Sequence, residues 1–253
     1  MKIIAITNQK GGVAKTTTAI NLADGLTRLG RKVLVIDADK QCNATDTFRA
    51  KVEDQATLYD VLCAGENINN AIQHSGICDI IAADKLLADA EQRIIGQGRE
   101  YRLREAMANL QGDYNYVIID TPPDLGIMLT NALTAANACI VPVVPERYSL
   151  LGLSQLDESI GRVKKYSNPT LAVDGLLLVR FTGRFNLTKE VADLLPQITT
   201  EMGTSAFQTV IRESQATKDA QSRRLSVMAY NARSNPAKDY TAFAKEFIER
   251  EEF

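Results

Sequence analysis

Ile3-Ile4-Ala5-Ile6-Thr7-Asn8-Gln9-Lys10-Gly11-Gly12-Val13-Ala14-Lys15-Thr16-Thr17-Thr18 carries the reading of the chain. An apolar, strand-like run empties into a glycine pair, then a lysine and a row of hydroxyls, and a helical pattern follows at once. That order suits a phosphate cradle. Gly11 and Gly12 let backbone N–H groups turn inward where a Cβ would obstruct. Lys15 is placed to reach β- and γ-phosphates, and the Thr16 hydroxyl to hold Mg²⁺. The helix beginning there aims the positive end of its dipole at the same anion. Residues Lys10, Gly11, Gly12, Val13, Ala14, Lys15, Thr16 and Thr17 are therefore the nucleotide-binding candidates.

Elsewhere, apolar runs such as Val33-Leu34-Val35-Ile36 and Val117-Ile118-Ile119 alternate with helical patterns. Strands are expected at 2–7, 32–37, 78–82, 116–120, 138–143, 176–181 and 207–211. Helices are expected at 16–29, 57–64, 85–94, 99–110, 150–166, 189–202 and 236–250. Continuous apolar runs fit parallel strands covered on both faces. The alternation predicts an α/β fold, a doubly wound, mostly parallel sheet with helices on both faces, with ligand at the carboxyl ends of the strands. Gly30 is the expected stop of the first helix. With 253 residues and no linker-like tract, one domain over 1–253 is expected.

Two strand ends carry acids. One is Asp37-Ala38-Asp39 and the other Asp120-Thr121-Pro122-Pro123. Carboxylates there, beside a phosphate loop, hold Mg²⁺ or orient an attacking water. Composition narrows the alternatives. A formal charge of -2 gives no global basic field, and a single histidine, His74, leaves little room for histidine acid–base chemistry. The four cysteines form no C-x-x-C pair, as expected of reduced cytosolic thiols. No secretory pattern or membrane-length apolar run is visible, so a cytoplasmic protein is expected.

Read strictly, the loop departs from G-x-x-x-x-G-K-[ST], with Gln9 and Ala14 at the two glycine positions. Lys10-Gly11-Gly12-x-x-Lys15-Thr16-Thr17 instead resembles the deviant Walker A loop of the ParA/MinD/nitrogenase-iron-protein ATPases. Asp37–Asn43 resembles the D-x-D-P-Q-G-N switch of ParA proteins, and Asp120–Gly126 their D-x-P-P-x-L-G switch. Pro142–Leu156, with Glu146, Tyr148, Gly152 and Gln155, resembles the block that follows. The likeness is to short, Soj-like ParA proteins that lack an N-terminal helix-turn-helix domain.

The resemblance implies a slow, Mg²⁺-dependent ATPase with ATP and Mg²⁺ as cofactors. Lys10 would reach the ATP of a partner copy in a sandwich dimer, Lys15 would bind the phosphates, and Asp39 would position water. Thr16, Asp39 and Asp120 would surround the metal. The ATP dimer would bind double-stranded DNA without sequence preference, placing the protein on the nucleoid, and a ParB-type centromere-binding protein would stimulate hydrolysis. Arg184 matches one DNA-contacting arginine of the family. At a second such position this chain has Ala216, leaving Arg212, Lys218, Arg223 and Arg224 as nearby cations.

Three relatives share the loop: MinD-like membrane switches, electron-transfer ATPases, and ATPases of secretion or conjugative transfer. Glu246, Glu249, Glu251 and Glu252 outweigh Lys245 and Arg250 at the C-terminal end, so a packed helix is expected there rather than a lipid anchor. The cysteines lack the cluster-bridging pattern. Four departures from the ParA pattern stand out. Ala14 replaces a glycine, Lys40 and Cys42 replace the Pro and Gly of the first switch, and Asp124 replaces the Ser of the second.

Overall fold

The computed structural model describes residues 1–145, 149–182 and 195–251. Its strands are β1 (Lys2–Ile6), β2 (Val33–Asp37), β3 (Ile72–His74), β4 (Asp79–Ile81), β5 (Tyr116–Asp120), β6 (Ala138–Val143), β7 (Ala172–Phe181) and β8 (Ile211–Arg212). They form one sheet in the order β3-β4-β2-β5-β1-β6-β7-β8. All pairs are parallel except β3–β4. The α-helices bounded within the described residues are α1 (Lys15–Arg28), α2 (Asn43–Phe48), α3 (Ala90–Arg93), α4 (Arg102–Ala108), α5 (Ile127–Ala135), α6 (Ser149–Tyr166), α7 (Gln215–Ser222), α8 (Val227–Tyr230) and α9 (Asn235–Glu251).

The central strands bury both faces, as their continuous apolar runs predict. In β2, Val33 and Val35 join the cluster beneath α1 and α9, while Leu34 and Ile36 join the one beneath α4 and α5. β5 divides in the same way, with Tyr116 and Ile118 on one side and Val117 and Ile119 on the other. A third cluster packs β6 and β7 against α6 through Leu153, Leu156 and Ile160.

Helix α1 runs from the phosphate-loop candidate and stops where Gly30 takes φ 78°, its N–H donating to the Thr27 carbonyl at 2.9 Å. Against it lies α9. Tyr240, Phe243 and Phe247 are fully buried, so the apolar stripe of the C-terminal helix packs on protein, as its acidic opposite face suggested. Phe243 meets Phe207 edge-on at 4.9 Å, and Phe247 meets Tyr116 at 5.7 Å.

Some expected elements change. The stretch 85–94 divides into a 3-10 turn and the short α3, and 57–64 ends in a π-helical turn, Asp60–Ala64. Strand 207–211 is not formed as expected. Ala206 makes an isolated bridge with Leu176, and β8 begins only at Ile211. Between them the Gln208 and Thr209 N–H groups donate to the Glu246 carboxylate at 2.7 and 2.8 Å, replacing a neighbouring strand. Of the helix expected at 189–202, residues 195–201 are helical, Met202 lies in the turn that follows, and 189–194 lie outside the described residues. The same holds for Glu146 and Tyr148.

Gly25 sets how closely α9 approaches α1. A Cβ added there would fall 2.7 Å from the Ala244 Cβ. Gly25→Ala is expected to force the helices apart and lose about 1–3 kcal/mol, read as a lower urea midpoint at unchanged slope.

Candidate nucleotide site

Residues 8–14 bridge β1 and α1. The Asn8 side chain pins this loop from both directions. Its Nδ2 donates to the Pro142 carbonyl at 2.8 Å, and its Oδ1 accepts the Lys10 N–H at 3.0 Å. Val13 is buried and anchors the turn, whereas Gly11 and Gly12 are exposed. Gly12 has φ 75°. Ala14 sits at φ 61°, at the N-cap of α1, and no side chain caps this helix start. Its first N–H groups are thereby left to a ligand, at the positive end of the helix dipole. An alanine held there costs roughly 1–2 kcal/mol relative to right-handed backbone. Cys42, at the other position where the resemblance leads one to expect glycine, has φ 55°.

Lys15 is only 7% exposed, and its Nζ donates to the Lys10 carbonyl at 3.3 Å. Burial lowers its pKa, opposed by the carboxylates of Asp120, Asp39 and Asp124. Those acids come together because their strands are in register: Asp37 of β2 pairs with Asp120 of β5, and Asp120 with Ile6 of β1. Asp37 and Asp120 are both fully buried.

Their surroundings differ. Asp37 accepts hydrogen bonds from the Thr45 N–H and hydroxyl, both 2.8 Å, and from the Asp39 N–H at 3.1 Å. It thus caps α2 from the end of the strand just before it. Desolvation still raises its pKa to about 6, more than these bonds lower it. Neither oxygen of Asp120 has a hydrogen-bond partner in the structure. Desolvation and the neighbouring Asp37 raise its pKa well above the usual carboxylate range, tempered by the Thr16 hydroxyl and by Lys15. Two orphaned carboxylate oxygens beside a hydroxyl and a second acid suit a hard divalent cation with its waters. Asp39, nearly buried, accepts the Gln41 N–H at 3.0 Å.

A cleft of about 670 Å³ opens over Gly11, Gly12 and Lys15–Thr17, with Asp39 along one side. Its far wall comes from the last third of the chain and includes Val179, Ile211, Thr217, Gln221 and Tyr240. Gln221 Nε2 donates to the Thr17 hydroxyl at 2.8 Å, and Tyr240 shares a hydrogen bond with Thr18 at 3.2 Å. The sequence reading assigned none of these wall residues. Ser214, which caps α7 by accepting the Ala216 N–H, was the available sign of a helix there.

The described cations proposed for a nucleic-acid contact lie on or just beside β8 and α7. Arg212 forks onto the nearly buried Asp239, with Nε–Oδ2 at 2.9 Å, and with Lys218 it lines the cleft. Arg224 pairs with Asp46 of α2 at 2.9 Å, and Arg223 lies over the Tyr230 ring at 5.4 Å. Arg184 lies outside the described residues.

Two outcomes test this geometry. Ala14→Gly removes the left-handed strain and is expected to gain about 0.5–1 kcal/mol after glycine's own entropy cost, read as a Tm rise of roughly 2 °C. For Asp37, the folded pKa lies above the unfolded 3.8, so folding takes up a proton. Stability from this group is full below about pH 4 and is lost as pH rises through about 6. Urea titrations at pH 5 and 7 should show the decline, and Asp37→Asn should reduce it.

A sequence model of the AAA domain family, AAA_31, matches residues 1–173. The chain is 37% identical over 249 residues to the sporulation initiation inhibitor protein Soj of Bacillus subtilis, covering 97% of each. It is 37% identical over 258 residues to the chromosome partitioning protein ParA of Caulobacter vibrioides, covering 99% of this chain and 95% of that one. Among solved structures, cobyrinic acid a,c-diamide synthase of Mycobacterium smegmatis with bound ADP and magnesium superposes with a TM-score of 0.85. That pair shares 29% identity over 100% of this chain and 96% of the other. With its phosphate loop, its paired strand-end acids and its full-length likeness to Soj and ParA, this chain belongs to the ParA/Soj family of P-loop ATPases.

Proposed function

We propose that this protein is a Mg²⁺-dependent partition ATPase whose triphosphate state joins two copies into a DNA-binding dimer. One observation carries the nucleotide part. Lys15, at an uncapped helix start, and the orphaned Asp120 are both buried, and their charges act on each other. Mg·ATP supplies an anion to the one and a cation to the other. Lys15 and the α1 N–H groups would hold the phosphates, Thr16 and Asp120 the metal shell, and Asp39 the attacking water. The metal supplies charge neutralisation at the transferring phosphoryl group. The apolar floor of Ile20, Val179 and Ile211 suits a base. The solved relative bound to ADP and magnesium supports this reading.

Dimer formation through Lys10, and DNA binding, rest on the kinship with Soj and ParA. ATP adds contacts present only in the dimer and so shifts that equilibrium. Arg212, which also braces β8 against α9 through Asp239, keeps 43% of its side chain exposed and stays among the proposed DNA contacts. Lys218, Arg223 and Arg224, with Arg184, are the remaining contacts, and phosphate contacts of this kind carry no base preference. A ParB-type protein is the proposed stimulating partner. A membrane-switch reading gains no support from α9, whose Tyr240, Phe243 and Phe247 are buried, and no described helix is long and apolar enough to cross a membrane.

The test is mass by light scattering with ADP, with ATP, and with ATP for Lys10→Ala, each with and without duplex DNA. ATP should double the mass of the wild type and bring salt-sensitive DNA binding. Lys10→Ala should bind ATP and stay monomeric. Wild-type mass that ignores the nucleotide would refute the dimer reading. Paired Arg223→Ala/Arg224→Ala should weaken DNA binding while leaving the ATP dimer intact.

A further inference from the structure

Two of this chain's departures from the ParA motifs meet in space. Lys40 Nζ lies 2.9 Å from Asp124 Oδ2. Lys40 follows Asp39 on the loop leaving β2, and Asp124 lies four residues beyond Asp120 on the loop leaving β5. The parent strands are neighbours in register, so the ion pair spans the two loops that flank the phosphate end of the cleft. Pro123, beside Asp124, lines that cleft. The Asp124 charge also acts on the Lys15 ammonium from across it.

We propose that Lys40 is a positioning counter-ion that sets the preference of this site for a nucleoside triphosphate over a diphosphate, by neutralising Asp124 and holding it away from the terminal phosphoryl group. The inference rests on the nucleotide reading above and specifies how one of its phosphates is tolerated. A carboxylate at this mouth opposes further negative charge, and the terminal phosphoryl group adds the most. The opposition is weak while the carboxylate is paired. Remove the ammonium, and the carboxylate turns its full charge on whatever occupies the γ position. A diphosphate ends short of that position and is little affected. Both partners are partly exposed, 43% and 61%, so the effect is modest and falls with salt.

The test is equilibrium binding of a non-hydrolysable ATP analogue and of ADP, each with Mg²⁺, to four proteins: wild type, Lys40→Ala, Asp124→Ser and the double variant. Lys40→Ala is expected to weaken the triphosphate roughly fivefold and ADP less than about twofold. Adding Asp124→Ser should restore the ratio, because the charge that needed neutralising is gone. Equal weakening of both nucleotides, or no rescue in the double variant, would overturn the proposal, since loss of a loop brace alone predicts that result. Failure of the wild type to bind either nucleotide would overturn the nucleotide reading and the role of the pair with it. Matching thermal melts for the four proteins separate the binding change from misfolding.

Discussion

Asp37 and Asp120 stand opposite one another at the ends of adjacent parallel strands, both without access to water. Burying one carboxylate is costly, and burying two like charges in register is more so. Much of the surrounding architecture answers that cost. Asp37 is satisfied by Thr45 and becomes the cap that α2 lacks locally. Asp120 is compensated in part by Lys15, which the glycine-containing loop carries into the interior. What remains is an unmet demand for a cation at Asp120 and for an anion at the start of α1. Mg·ATP, the ligand proposed for this site, would answer both.

Helix α1 connects that demand to the rest of the molecule. Thr17, Thr18, Asn21 and Asp24 are bonded in turn to Gln221, Tyr240, the Val227 N–H and Ser226. Polar residues inside a buried helix are tolerated because each finds a partner on α7, α8 or α9. The final third of the chain is therefore part of the cleft wall, and the helix proposed to hold phosphate at its start is bonded along its length to the C-terminal segments.

The central strands and the phosphate loop were legible because their signals are local. An apolar run, a glycine pair and a lysine before a helix all lie within a few neighbouring residues. Other features depended on partners distant in sequence. Helix α5 is buried nearly all round, so it shows no amphipathic period. Helix α2 is six residues long, and its cap comes from Asp37 rather than from Cys42. Residues 207–211 read as a strand, but Glu246 of α9 takes two of the donors. The pairing of Arg212 with Asp239 and of Arg224 with Asp46 joins residues far apart in the sequence and has no local sign. Asp37 was legible as a strand-end acid, but its bonds to Thr45 were not.

The sheet ends in its shortest pieces. The three-residue β3 forms one edge and the two-residue β8 the other. Beside β3, the Gln73 side chain further occupies the backbone of Lys51 through two bonds of 2.7 Å. Edges this brief offer little template for adding a foreign strand. Self-assembly by sheet extension into ribbons or fibres is thereby disfavoured, so the proposed pairing of two copies would meet little competition from edge-to-edge association.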